Sequence, residues 1–166
     1  MKMFKDDIKK YPKFANYVKH RFTDLWEISK IRKAFKEYGQ MNTWQLKNAL
    51  RWGQLPYIEI RKMKKGKYGG YVHGYDSIRI ATRVVEHFEA QNDEAYTTTV
   101  DGTKVYFAGV VLLHEMIHWG DFKKDGFTWV EERNRTRKNK LSIVDYEAGK
   151  LFEKAVYGHR PAFPHD

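Results

Sequence analysis

The chain has 166 residues, of which 42% are hydrophobic and 16% aromatic, with no cysteine and a formal net charge of +10. That length predicts one domain with a true core, and the apolar content excludes a disordered chain. The lack of cysteine excludes disulfides, thiolate metal sites and cysteine nucleophiles, leaving His, Asp and Glu to hold any metal.

At the start of the chain, Met1–Asp7 lacks the apolar region of a signal peptide, and no apolar run approaches the roughly 18 residues of a membrane span. The expectation is a soluble protein, cytoplasmic or delivered by a specialised secretion system. Residues 1–70 carry 18 Lys and Arg against 6 Asp and Glu, a net +12; residues 71–166 carry 13 against 15, a net −2. Two readings of the basic half stand: a surface that tracks nucleic acid or anionic lipid, or the solvated faces of helices.

Pro12 is placed to open a helix through about Arg21, with Phe14 and Val18 inward. Thr23 is an N-cap candidate for a helix over Asp24–Tyr38, because Leu25, Ile28, Ile31, Ala34 and Phe35 recur at helical intervals before Gly39. Asn42 or Thr43 can cap a third helix through Leu50, ending at Gly53. Leu55–Arg61 alternates apolar and polar residues, which predicts a strand. Lys62–Gly70 reads as a lysine-rich loop containing Tyr68, either solvated or gripping a polyanion. Ser77–Ile80 predicts a short strand and Thr82–Gln91 a helix. Tyr96–Val100 and Lys104–Phe107 predict a hairpin turned at Asp101-Gly102.

The hairpin leads into Val110–Asp121, which contains His114-Glu115-Met116-Ile117-His118. Positions i and i+4 return to one helical face, so both imidazoles can reach one ion while Glu115 sits beside it. Val110, Val111, Leu112, Leu113, Met116 and Ile117 make this helix apolar almost all round, which predicts burial. Three buried polar side chains cost several kcal/mol unless paired, and a metal with a water would satisfy them. The bland reading is a core helix with two satisfied histidines. Gly120 predicts the helix end, and Asp121–Arg137 a charged surface segment.

A last helix is expected from Ser142 to Tyr157, with Val144, Ala148, Leu151 and Ala155 as its apolar stripe. Glu147 lies within that stripe, Asp145 at its edge, and Glu153 on the far side with Lys150 and Lys154. Glu147 is therefore the first choice as a third ligand, and Asp121, one turn after His118, the alternative. Arg160–Asp166, with two prolines, predicts an extended tail.

His114-Glu115-x-x-His118 followed by Glu147 on a later helix resembles the gluzincin arrangement of metallopeptidases. The text Tyr146–Ala155 is similar to the third-ligand helix of lethal-factor-like metallopeptidases. Together with Trp119-Gly120-Asp121 and Asp125-Gly126, residues 77–158 resemble compact metallopeptidase toxin and effector domains of bacteria. The thermolysin text Asn-Glu-x-x-x-Asp is absent, which leaves open what orients the histidines.

The resemblance implies an α+β, zincin-like single domain. It would comprise a basic helical part (1–54), a catalytic core (55–158) with a small mixed sheet, hairpin, buried active helix and third-ligand helix, and a tail (159–166). It implies one zinc ion per chain on His114, His118 and Glu147, with Glu115 as the base that activates a zinc-bound water. Tyr157 and His159 are its candidates for stabilising the oxyanion, with Tyr146 beside them. It implies a protein or peptide substrate, peptidoglycan peptides included, and a cognate immunity protein as partner. It also suggests a peptide adding alongside Tyr96–Val100 or Lys104–Phe107. The competing readings are a basic nucleic-acid-binding protein and a DNA-associated, SprT-like metallopeptidase.

Overall fold

A computed structural model describes residues 1–125 and 147–163. Two short elements precede the first expected helix: strand β1 (Lys2–Met3) and helix α1 (Lys5–Lys10). No residue of α1 is buried, so no apolar stripe announces it. Helix α2 (Pro12–His20) opens on its proline and buries Phe14, Ala15 and Val18.

The single helix expected over Asp24–Tyr38 is two. A 3₁₀ turn spans Phe22–Glu27, Ile28 is extended, and α3 runs Ser29–Tyr38. Arg32 stabilises the break: its Nη1 donates to the carbonyls of Trp26 at 2.9 Å and Glu27 at 2.6 Å, oxygens that an unbroken helix would use internally. Thr23 does not cap it: the turn starts at Phe22, and the Thr23 hydroxyl donates to Asp24 at 3.4 Å. Helix α4 (Thr43–Leu50) begins with a reciprocal capping box between Asn42 and Gln45, so Asn42 is the cap.

Strand β2 (Tyr57–Arg61) lies parallel to β1 on one side and to β4 (Ser77–Ala81) on the other, with Ile58 opposite Ile78 and Ile60 opposite Ile80. Strand β3 (Gly69–Tyr71) pairs antiparallel with β4 and forms the edge of this four-stranded mixed sheet. Its Gly-Gly start carries no alternation of side chains, which is why it reads as loop in the sequence. Helix α5 (Thr82–Ala90) follows. The hairpin forms as expected but shorter, from β5 (Tyr96–Thr98) and β6 (Lys104–Tyr106).

Helix α6 (Phe107–Asp125) is the centre of the molecule, packed against β3, β4 and the last helix, α7 (Ala148–Tyr157). As its composition predicts, Phe107, Val110, Val111, Leu112, Leu113, Met116 and Ile117 are all buried. Gly120 does not end it. A Cβ at that position would fall 2.6 Å from the carbonyl oxygen of Gly39, so the glycine allows α6 to pass the turn between α3 and α4. Phe152 of α7 meets Phe35 of α3 edge-on, 5.2 Å between centroids, which fixes α7 over the helical layer. The fold is thus α+β, with N-terminal helices, a small mixed sheet, a buried central helix and a C-terminal helix. No helix among the described residues is long and apolar enough to cross a membrane.

Candidate metal centre

One turn of α6 brings His114 and His118 together, their Nε2 atoms 3.3 Å apart. Glu147 completes the group. Its Oε1 lies 3.3 Å from His114 Nε2 and closer still to His118 Nε2. One ligand atom from each of the three residues lies within 4.8 Å of the others. Donors about 2.0–2.1 Å from a tetrahedral zinc stand about 3.3–3.4 Å apart, so two of the three edges already match such an ion. Two nitrogens and a carboxylate oxygen are also the donor types that zinc takes.

Glu147 reaches this position by a different route from the one its helical spacing suggests. It is the N-cap of α7 with an extended backbone, and its carboxylate accepts from the amides of Gly149 at 3.1 Å and Lys150 at 3.0 Å. These helix-terminal N–H groups hold the carboxylate in place. Ser142–Tyr146, expected to open the same helix, lie outside the described residues. Burial alone would raise the Glu147 carboxyl, but the His114 and His118 rings outweigh it and hold the group well below the usual carboxylate range.

Helical spacing puts Glu153 on the far face of α7, but Glu153 is buried, and its Oε1 sits 2.8 Å from Nδ1 of His114. The stripe of α7 that faces the core is Ala148, Gly149, Phe152, Glu153 and Tyr157, whereas Ala155 is exposed and Leu151 only partly buried. With its Nδ1 proton donated to Glu153, a neutral His114 ring keeps the Nε2 lone pair for an ion shared with His118 and Glu147. Burial by itself would lower the His114 imidazole; Glu147 and Glu153 reverse that and push it up to about 10 with no metal present. Helix α7 approaches so closely that a Cβ on Gly149 would lie 2.5 Å from Nε2 of His114.

Glu115 is 7% exposed, and burial pushes its carboxyl up against the pull of His114 and His118. It lies at the floor of a cleft of about 800 Å³ that His114, Glu153, Tyr68 and Phe163 also line. The edge strand β3 passes directly over it, since a Cβ on Gly69 would lie 2.5 Å from Glu115 Oε1. The hairpin lies elsewhere: Tyr96, Val105 and Tyr106 line a separate cavity of about 420 Å³. The strand edge beside Glu115 is therefore β3.

Three further residues singled out by the sequence fall outside the triad. Tyr157 is buried against Phe152 and lines the hairpin cavity rather than the cleft, because the phase of α7 turns it into the core; burial raises its hydroxyl. His159 follows the left-handed Gly158 cap with its Nδ1 buried, and its neighbour Arg160 lines the cleft in its place. Asp121 is not a loop residue. It is fully buried within α6, where Gln40 Nε2 donates to it at 2.7 Å, and it stands apart from the triad.

The family whose description is metallopeptidase toxin 3 matches residues 7–158. That span begins well ahead of Ser77, where the resemblance in the motifs starts, so helices α2, α3 and α4 lie within the matched residues. No curated protein and no solved structure matches the chain.

Proposed function

The chain belongs to the metallopeptidase toxin 3 family, and from that premise we propose that it hydrolyses peptide bonds with zinc held by His114, His118 and Glu147 and with Glu115 as general base. Zinc in such a site supplies a Lewis acid that polarises a peptide carbonyl and lowers the pKa of water towards neutrality.

Everything else comes from the chain. Glu115 accepts the proton from the attacking water as the new C–O bond forms, and passes it to the amine nitrogen as the C–N bond breaks. A carboxyl raised by burial is better suited to this exchange than an exposed one, since it takes up a proton more readily. Glu153 keeps the His114 ring oriented, and the backbone of β3 offers a strand edge beside Glu115 for an extended peptide.

The observation that carries this reading is the meeting of His114, His118 and Glu147, with His114 and the neighbouring Glu115 lining one open cleft. The test is metal content. Purified wild-type chain should hold about one zinc per molecule, since three protein ligands with a fourth position open to water make one catalytic site, and His114→Ala should hold almost none. Equal zinc in both would refute the assignment. As a toxin, the wild type should arrest growth of cells that express it, while Glu115→Gln should not.

A further inference from the structure

The exposed charges lining the cleft are positive, while its two carboxylates, Glu115 and Glu153, are buried. Lys65 and Lys67 stand on one side, in the loop before β3, and Arg160 stands on the other, in the segment after α7. Both lysines are exposed, and the Arg160 side chain is 62% exposed. The two walls are fixed relative to each other: Tyr68 stacks on Phe163 with centroids 5.1 Å apart, and both rings meet Phe107 at the same distance. Arg83 covers the outer face of Tyr68 at 4.9 Å and donates to the carbonyl of Lys67 at 3.2 Å, which holds the loop down.

The two carboxylates in the cleft are already engaged. Glu153 faces His114, and Glu115 is the proposed base. A substrate lying in the cleft therefore meets the exposed cations Lys65 and Lys67, then Arg160, whose Nε stands 3.8 Å from Glu153 Oε2 and whose side chain is still largely open to solvent, together with the apolar side chains of Phe107, Val111 and Phe163. We propose that the cleft selects peptides in which acidic side chains flank an apolar residue, with Lys65, Lys67 and Arg160 as the residues that read the acids. This rests on the peptidase reading of the same site. A peptide suits the cleft better than a nucleic acid because Phe107, Val111 and Phe163 line it beside His114 and Glu115.

The test separates binding from cleavage. Labelled octapeptides with one apolar core, flanked by Glu, Gln or Lys, are titrated into the zinc-loaded Glu115→Gln chain at low and high salt. The Glu peptide should bind about tenfold more tightly than the Gln peptide, the sum expected of a few exposed ion pairs. The Lys peptide should bind more weakly than either, and the differences should shrink with salt.

The preference should collapse on adding Lys65→Glu/Lys67→Glu, and fall part of the way with Arg160→Gln. Lys19→Glu/Lys33→Glu makes the same change in net charge on α2 and α3, away from the cleft, and should keep it. Glu and Gln peptides binding within twofold of each other would overturn the proposal. So would an equal loss in the Lys19/Lys33 variant, or a single-stranded oligonucleotide displacing the Glu peptide at lower concentration than the unlabelled peptide does. If the binding preference holds but wild type cleaves none of the peptides, the selectivity stands and the peptidase reading falls.

Discussion

Glu153 Oε1 lies 2.8 Å from Nδ1 of His114, so the carboxylate on α7 grips the back of the ring whose front faces His118 and Glu147. This contact supplies what the thermolysin-type text would have supplied and the chain lacks: a partner that sets the tautomer and angle of a ligand imidazole. Loss of such a partner lowers metal affinity about 10–100-fold in comparable sites. Glu153→Ala should show a drop of that order when zinc is titrated against a competing chelator, with the fold retained by circular dichroism. Unchanged affinity would reduce Glu153 to a packing residue.

Gly149→Ala tests the approach of α7 to His114. In most helices this substitution is favourable by up to about 1 kcal/mol. Here the added methyl would stand 2.5 Å from the imidazole, so the ring or the helix must move. The variant should melt lower than wild type and bind zinc more weakly. A higher melting temperature with full zinc affinity would show that α7 stands farther off.

Phe152 anchors α7 to α3 through Phe35 and is completely buried. Phe152→Ala should lower stability by about 3–5 kcal/mol in urea unfolding, the range for a buried aromatic truncated to alanine. Because Glu147 and Glu153 both ride on α7, zinc affinity should fall with it. Loss of stability with full zinc affinity would separate the helix anchor from the site.

The pH dependence of metal uptake follows from His114. Its folded, metal-free value of about 10 lies above the usual imidazole range, so the proton it holds stabilises the metal-free fold fully below about 6.5. That contribution disappears as pH rises through about 10. Zinc needs the neutral ring, and binding between these limits must expel the proton. Calorimetry at pH 8 in buffers of different ionisation enthalpy should register about one proton released per zinc. No release would mean that the metal-free ring is already neutral at that pH.

What the sequence made legible was local. The His114–His118 spacing, the apolar surround that buries α6, and the alternation in β2 each follow from neighbours in the chain. The rest depends on contacts that no window of sequence contains. Leu151 and Ala155 suggest one phase for α7, but Phe152 and Tyr157 occupy the core and turn Glu153 inward, because Phe35, 117 positions earlier, receives Phe152. Glu147 joins the triad as a cap rather than as part of a helical stripe, which hydrophobic spacing cannot express. Gly120 resembles a helix terminator until Gly39 is seen beside it. One signal for Glu153 was available in principle: a ligand histidine needs an acceptor for its second nitrogen, and carboxylates on the third-ligand helix were the natural candidates.

The central claim is that Glu115 performs the proton transfers beside a zinc held by His114, His118 and Glu147. The most direct measurement compares peptide hydrolysis by wild type and Glu115→Gln, each first shown to carry the same zinc content. The account predicts equal metal and a fall in kcat of roughly 10²–10⁴-fold, the usual contribution of a general base. Hydrolysis by Glu115→Gln at the wild-type rate, with zinc in place, would contradict it.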